Sequence, residues 1–485
     1  LLPSILATAR FLDASGYREL RRGLGGSYAL PLRHLRLYFL PDYYGTPRSD
    51  DYRGVGWIPG DNYMETAAGL GLAAAALAFL GLAALRRRRE AVYAAILGAA
   101  VALPLYAGGA ILSAVGRLPL LDISLFARAK ILIVLGVAIL AACGMEALER
   151  LSGRNEVSRL CTRTVPFLIA VPLAFLALDF YPECRPADAV FRDTPGIARL
   201  RELSSGGQRF AATGWTLMPN VSEPLGLEDA RGHFLLEERY RRLVTAADPN
   251  AFGGYGTYLA FDPLSLDPSS PVLDLLGVRF LAAPPGVLSP VGPGVEARDS
   301  ATFHLPGTPV RATTAQLARV YAGADMTLFE RPAAFPRFRL VAGTLSGGVE
   351  EVRAAQRATL ADSVFLAPEA NARLSSSPAE RRADGRVRIA ALLPERFALE
   401  TETRAPSILA TSQKAFAPYW RLFLDGREIE ALDVNGLFLG LEVPAGSHRI
   451  EGRFLVPRAE IAVSLAGLLA LAATMMWAAR KPARA

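Results

Sequence analysis

Three stretches of this chain are too long, too apolar and too free of charge to sit comfortably in water. Thr66–Leu85 runs twenty residues without a charged side chain, Ala91–Gly116 twenty-six and Ile461–Ala479 nineteen. Crossing a hydrocarbon core of about 30 Å takes roughly 20 helical residues, and a helix satisfies the backbone groups that lipid cannot. Each block is therefore expected to span a membrane. Ile131–Met145 and Val165–Leu178 are shorter, at fifteen and fourteen residues, but their flanks can extend both. Asp179 and the rings of Phe180 and Tyr181 would then mark a headgroup boundary.

The expected fold class is a multi-pass α-helical membrane domain plus an extracytoplasmic α/β region and a C-terminal antiparallel β-sandwich. Residues 1–182 are assigned the end of one helix and spans near 66–85, 91–112, 129–147 and 164–181. A mixed α/β domain over 183–385, the sandwich over 386–457 and a last span over 458–480 complete the division. The chain opens with Leu1-Leu2-Pro3-Ser4-Ile5-Leu6, which reads as the tail of a helix whose beginning lies upstream.

Charge sets the expected orientation. Arg86–Arg89, then Arg150, Arg154, Arg159 and Arg163, then Arg480, Lys481 and Arg484 flank the apolar blocks on one side. The positive-inside rule makes that side cytoplasmic. The loop Asp13–Glu65 carries seven arginines on the other side, but charge in so long a loop directs topology weakly. The bacterial cytoplasmic (inner) membrane, with the large domain outside, is the expected location. The net charge of +7 and pI near 9.4 do not imply nucleic acid, because the basic residues gather beside the apolar blocks. Cys143, Cys161 and Cys184 have no metal-ligand spacing, and His34, His233, His304 and His448 are scattered.

The last hundred residues before the final apolar block read as strands. Tyr419–Leu424 leads into Asp425-Gly426 and Arg427–Val434 into Asn435-Gly436, dipeptides that supply the positive φ angles of tight hairpin turns. Leu437–Val443, His448–Leu455, Arg386–Leu392, Phe397–Glu402 and Ser407–Thr411 add further short strands, the pattern of a sandwich.

Three features suit chemistry at a membrane surface. Asp61 and Glu65 precede a span, where a carboxylate can deprotonate a hydroxyl or hold a divalent cation; Glu65 also simply suits a helix N-terminus. Arg128 and Lys130 precede another span on the same side and offer partners for a lipid phosphate, although interfacial anchoring is the commoner reason for such residues. Tyr419 and Trp420 would stack on a sugar ring if their strand were exposed, and fill the sandwich core if it were not.

The order of motifs resembles the bacterial YfhO family, membrane proteins related to GT-C glycosyltransferases. Asn62-Tyr63-Met64-Glu65, Leu118-Pro119 with Phe126-Ala127-Arg128, Asp229-Ala230-Arg231-Gly232 with Tyr240, and Leu275–Phe280 carry the likeness. Pro336-Arg337, Pro418-Tyr419-Trp420 with Asp425-Gly426, and Pro444-Ala445-Gly446 with His448 continue it. The segment Ala417–Trp420 lacks the glycine usual between the proline and the tryptophan. The resemblance implies transfer of a sugar from a polyprenyl-phosphate donor to a cell-envelope polymer acceptor. It also implies that the main catalytic acid lies upstream of Leu1. The alternative is a non-catalytic membrane protein whose outer domain binds glycan or a partner protein. A transporter is disfavoured, since the apolar blocks carry almost no charge.

Overall fold

The computed structural model describes residues 30–45, 68–115, 126–151, 156–180, 191–214, 216–233, 237–252, 258–292, 307–310, 317–416 and 419–479. Two compact units divide the chain, one within Tyr17–Pro186 and one within Ala187–Ala485.

The first unit is helical: α1 (Gly71–Leu82), α2 (Arg89–Ala107), α3 (Gly109–Val115), α4 (Lys130–Leu151) and α5 (Glu156–Phe180). Leu70, before α1, shares a cluster with Leu105 near the end of α2 and Ile133 near the start of α4. Leu77 and Ala78 meet Ala91, Ala94, Leu140 and Ala141 in a second cluster. Thus α1 and α4 run the same way in direct contact, and α2 runs back along another side of α4. Glycine sets how closely they approach. A Cβ on Gly81 would lie 1.9 Å from the Leu140 carbonyl oxygen, and one on Gly144 1.8 Å from that of Leu77. Such backbone contact is what small residues at helix interfaces permit.

The expected multi-pass α-helical membrane domain is not what forms. Among the helical stretches whose residues are described throughout, two are long and apolar enough to cross a membrane, Arg89–Ala107 and Lys130–Arg150, and sheets dominate the C-terminal half. Apolar composition counted more spans than helix geometry supplies. The described part of the first block holds the twelve-residue α1, followed by the 3-10 turn Ala83–Arg86. At about 1.5 Å per residue, α1 reaches only ~18 Å. The second block breaks at Gly108, whose φ of 59° ends α2 before α3 begins. The apolar part of α5 is the short stretch Thr162–Phe175.

The second unit starts with α6 (Pro195–Leu203) and a four-stranded sheet. Its order is β1 (Arg209–Ala212), β4 (Val278–Ala283), β6 (Thr327–Glu330), β5 (Ala318–Ala322), with β1 parallel to β4. The short pair β2 (Gly232–His233) and β3 (Tyr258–Leu259) and the parallel pair β8 (Gly343–Ser346) and β9 (Ser363–Leu366) lie outside that sheet. Short helices α9 (Val349–Ala354), α10 (Arg357–Asp362) and α11 (Pro368–Ala372) surround the second pair. Side chains on a strand alternate between faces. Phe210, Ala212, Phe280 and Ala282 therefore join Ile197 and Leu200 of α6. Ala211, Leu281 and Ala283 face the opposite core, with α7 (Glu238–Ala247) and α8 (Pro271–Leu275).

Two antiparallel sheets follow. One has the order β10 (Arg386–Leu393), β11 (Arg396–Thr403), β17 (Gly446–Phe454), β13 (Trp420–Leu424), β14 (Arg427–Ile429). The other runs β15 (Leu432–Val434), β16 (Phe438–Val443), β12 (Ser407–Lys414), β7 (Phe338–Val341). Phe397, Leu399, Leu422 and Ile450 of the first meet Phe338, Leu409, Leu439 and Leu441 of the second in one core. On its reverse face the second sheet buries Val341, Ile408, Ala410 and Val434 in the α/β core. A division at 385/386 separates β7 from its own sheet. Both hairpin turns use left-handed backbone, with φ of 50° and 80° at Asp425-Gly426 and 57° and 66° at Asn435-Gly436.

One buried carboxylate gives this unit a pH dependence. Asp248 and Asp262 are fully buried. Asp248 accepts from Asn250 N at 2.9 Å, from Asp262 N at 2.7 Å and from the Ser265 hydroxyl. Burial outweighs these bonds and pushes its carboxyl up from 3.8 to about 7. The folded chain thus keeps a proton that the unfolded chain has released, so stability is fullest below the unfolded value and is lost as pH rises through about 7. Denaturation midpoints should fall between pH ~5 and ~8, by on the order of 1.4 kcal/mol per unit of separation crossed. In Asp248→Asn that slope should flatten. A parent equally stable at both pH values would contradict this assignment.

Candidate functional site

Asp61 and Glu65, the expected catalytic carboxylates, lie outside the described residues. Arg128 is exposed on the 3-10 turn Phe126–Ala129, and Lys130 is the buried first residue of α4. Neither cation is without a partner. Lys130 stands one helical turn from Ile133, which shares its cluster with Leu30, Tyr38, Leu70 and Leu105. That cluster is tied by backbone bonds, from Leu70 N to the Tyr38 carbonyl at 2.9 Å and from Leu30 N to that of Leu105 at 2.8 Å.

Leu70 also lines a groove of about 650 Å³. The first turn of α1 (Gly71, Leu72, Ala73) forms one wall, and Leu168, Ile169, Leu173 and Phe175 of α5 form the other. Phe39, Pro41 and Asp42 close its end. The turn into α1 depends on Gly71, whose φ of 74° a side chain would strain. The result is an apolar slot of ligand size. Because Leu70 shares a cluster with Ile133, the groove lies at the end of the bundle where α4 begins with Lys130. Aliphatic and aromatic walls with cations at that same end suit an amphiphile whose anionic head is joined to a long apolar tail.

Tyr419 and Trp420 do not offer sugar-stacking faces, because both are buried, at 4% and 8% exposure. Trp420 points into the sandwich beside Phe397, with ring centres 5.7 Å apart. Tyr419 packs against Phe416 at 5.0 Å and Phe454 at 5.4 Å, which also meet each other at 6.4 Å, and its hydroxyl donates to Glu460 Oε1 at 3.0 Å. Core packing wins because Trp420 opens a strand whose inward positions fill the space between two sheets.

A partly buried charged junction went unnoticed at the level of sequence. Arg209 Nε and Arg337 Nη1 both donate to Glu228, the first at 3.4 Å. Gln413 Oε1 accepts from the same two guanidiniums at 3.5 and 3.3 Å. Next to them the Lys414 ammonium sits 4.5 Å from the centre of the Tyr240 ring, and Tyr240 Oη donates to the Ala230 carbonyl at 2.8 Å. Burial first, and Arg209 second, push the Lys414 amine down to about 8, against the pull of Glu237. Burial raises Glu228, but Arg337 and Arg209 together outweigh it and hold the carboxyl low. Asp229 grips Arg231, whose side chain is wholly inaccessible. The motifs Asp229–Arg231, Tyr240 and Pro336-Arg337 hinted at this cluster. Arg209, Glu228 and Lys414 carried no signal, being separated by up to two hundred residues in the chain. The junction ties the α/β sheet to the sandwich, with Arg337 enclosed and the Glu228 side chain 41% exposed.

At the far end of the sandwich a cleft of about 640 Å³ is lined by Arg386, Arg388, Glu400, Thr401, Asp425 and His448, among others. His448 Nδ1 lies 2.7 Å from Asp425 Oδ2. That contact and the backbone bond from Arg449 N hold the Asp425 carboxyl below its ordinary range. Among the described residues no group of three or more His, Cys, Asp or Glu side chains is placed to hold a metal ion. No protein-family model, curated protein or solved structure matches this chain.

Proposed function

We propose that this chain is a glycosyltransferase-like protein of the cell envelope, taking a sugar from a polyprenyl-phosphate donor and passing it to an extracytoplasmic polymer acceptor. The groove beside α1 carries the proposal. Its apolar walls suit an isoprenoid tail, and Arg128 and Lys130 at the same end of the bundle suit the phosphate. The motifs that resemble the YfhO family support the sugar, and the cytoplasmic membrane is the matching location. Asp61 and Glu65 are proposed to act on the acceptor, directly or through a divalent cation.

The groove is tested by filling it. Ala73→Phe places a ring in the slot and should weaken binding of polyprenyl phosphate by the full chain in lipid vesicles about tenfold or more, which is ~1.4 kcal/mol. Arg128→Ala should cost about 2–5 kcal/mol if the phosphate is desolvated beside it. Binding unchanged in both variants would remove the groove and the cation from the site.

A second reading is favoured by the cleft at His448, lined by Arg386, Arg388, Glu400 and Asp425 rather than by apolar side chains alone. There the outer unit binds glycan or a partner protein and catalyses nothing. A folded chain that binds cell-wall glycan, loses it in His448→Ala and transfers no sugar would favour it.

A further inference from the structure

The helix α12 (Arg458–Ala479) follows β17 directly, and nothing described in its own unit covers its length. Some of its side chains fall outside the described residues. Of the rest, Ile461, Leu465, Leu468, Leu469 and Met476 are 48–71% exposed. The helix is apolar on all sides, the pattern of a buried or membrane-embedded helix and not of a solvated one. Its twenty-two residues span ~33 Å at 1.5 Å each, close to the roughly 30 Å of a hydrocarbon core.

The sandwich continues this apolar surface. Leu393, Leu455 and Val456 are 53%, 40% and 50% exposed, and Phe454 is 37% exposed. They lie together, since Phe454 N donates to the Glu395 carbonyl at 2.8 Å, bringing the β10–β11 turn against the end of β17. Just behind this tip the register aligns Arg396, Arg453 and Arg421 across three adjacent strands. Arg396 and Arg453 share Glu451 and Arg421 pairs with Glu428, so the row keeps an excess of positive charge. A row of guanidiniums one step above an apolar edge is the order of groups found at a headgroup boundary. The joint to α12 is also firm. Leu455 N donates to the Tyr419 carbonyl at 2.7 Å, and the buried Tyr419 hydroxyl holds Glu460 in the first turn of the helix.

We propose that this sandwich tip is a membrane-seating surface: Leu393, Phe454, Leu455 and Val456 enter the outer edge of the bilayer, Arg396, Arg421 and Arg453 meet anionic headgroups, and the Tyr419–Glu460 bond fixes the tilt of the sandwich on α12. The proposal is independent of sugar transfer.

The test places a nitroxide on single cysteines at Leu393, Val456, Leu468 and Gly426 in the full chain, with Cys143, Cys161 and Cys184 replaced. The protein is reconstituted in vesicles of phosphatidylethanolamine and phosphatidylglycerol. Gly426 is the control, since it lies at the opposite end of β13, ~20 Å away at about 3.3 Å per residue. Oxygen should reach the labels at Leu393, Val456 and Leu468 better than a water-soluble nickel chelate does, with the reverse at Gly426. Leu468 in lipid with Leu393 and Val456 as nickel-accessible as Gly426 would overturn the seating surface. Equal nickel access at all four sites would overturn it together with the anchor.

Discussion

Gly144→Ala is expected to unpack the helical unit, while Gly98→Ala leaves it intact or slightly more stable. Both substitutions add one methyl group to a helix interior, where alanine is favoured over glycine by about 1 kcal/mol. They differ in what the methyl meets. At Gly98 an added Cβ finds nothing within 4 Å, so the propensity gain stands alone. At Gly144 it would sit 1.8 Å from the Leu77 carbonyl oxygen and 3.0 Å from Gly81 N, both of them backbone atoms of α1. No rotamer change relieves that overlap, so the helices must move apart along their whole contact. Overpacking typically costs ~1–3 kcal/mol, and a clash with rigid backbone belongs at or above the top of that range. Gly81→Ala should behave alike, because its Cβ meets Leu140 O at 1.9 Å. Thermal unfolding in detergent, followed by gel filtration, separates the outcomes. A Gly144→Ala protein as stable as Gly98→Ala would refute the described approach of α1 and α4.

Asp274→Ala should be the most damaging single change in the second unit. Asp274 is fully buried and bridges two arginines, with Arg331 Nη2 at 2.8 Å from one oxygen and Arg357 Nε at 2.7 Å from the other. Arg331 is itself buried; its Nε and Nη1 donate to the carbonyls of Pro268 and Val278, and Nη2 also reaches that of Ser270 at 3.3 Å. Removing the carboxylate leaves a desolvated guanidinium unpaired, a loss of about 3–5 kcal/mol. Exposed pairs such as Arg388–Glu400 should contribute within ~1 kcal/mol when broken. Urea unfolding of Asp274→Ala and Glu400→Ala compares the two directly. The double change Asp274→Leu with Arg331→Met should recover much of the loss, since a buried ion pair often trades evenly with apolar groups. A loss under about 1 kcal/mol for Asp274→Ala would show that the bridge contributes little.

Local chemistry in this chain was legible and long-range assembly was not. The turns at Asp425-Gly426 and Asn435-Gly436 could be read because positive φ is a property of two neighbouring residues. The apolar blocks were visible too, but their number of spans was not. Composition does not reveal that Gly108 ends α2 or that the chain tightens into a 3-10 turn at Ala83–Arg86. Tyr419 and Trp420 illustrate the same limit from the other side: a ring pair on a strand reads alike whether buried or exposed, and only the facing sheet decides. The junction of Arg209, Glu228, Arg337 and Lys414 was illegible because four separate segments build it. The groove was equally hidden, since Ala73 and Leu173 are unremarkable in sequence and become two walls only when α1 and α5 stand side by side.

The proposed donor site is tested most directly by the tail length it requires. The full chain, reconstituted in vesicles, would be offered the same phosphate-linked sugar on a long isoprenoid tail and on a short, water-soluble tail. Binding and sugar transfer should be seen with the long tail alone, and Ala73→Phe should weaken both about tenfold or more while leaving the protein folded. Equal use of the two donors, or binding of neither by a folded chain, would contradict a lipid-linked donor seated in the groove.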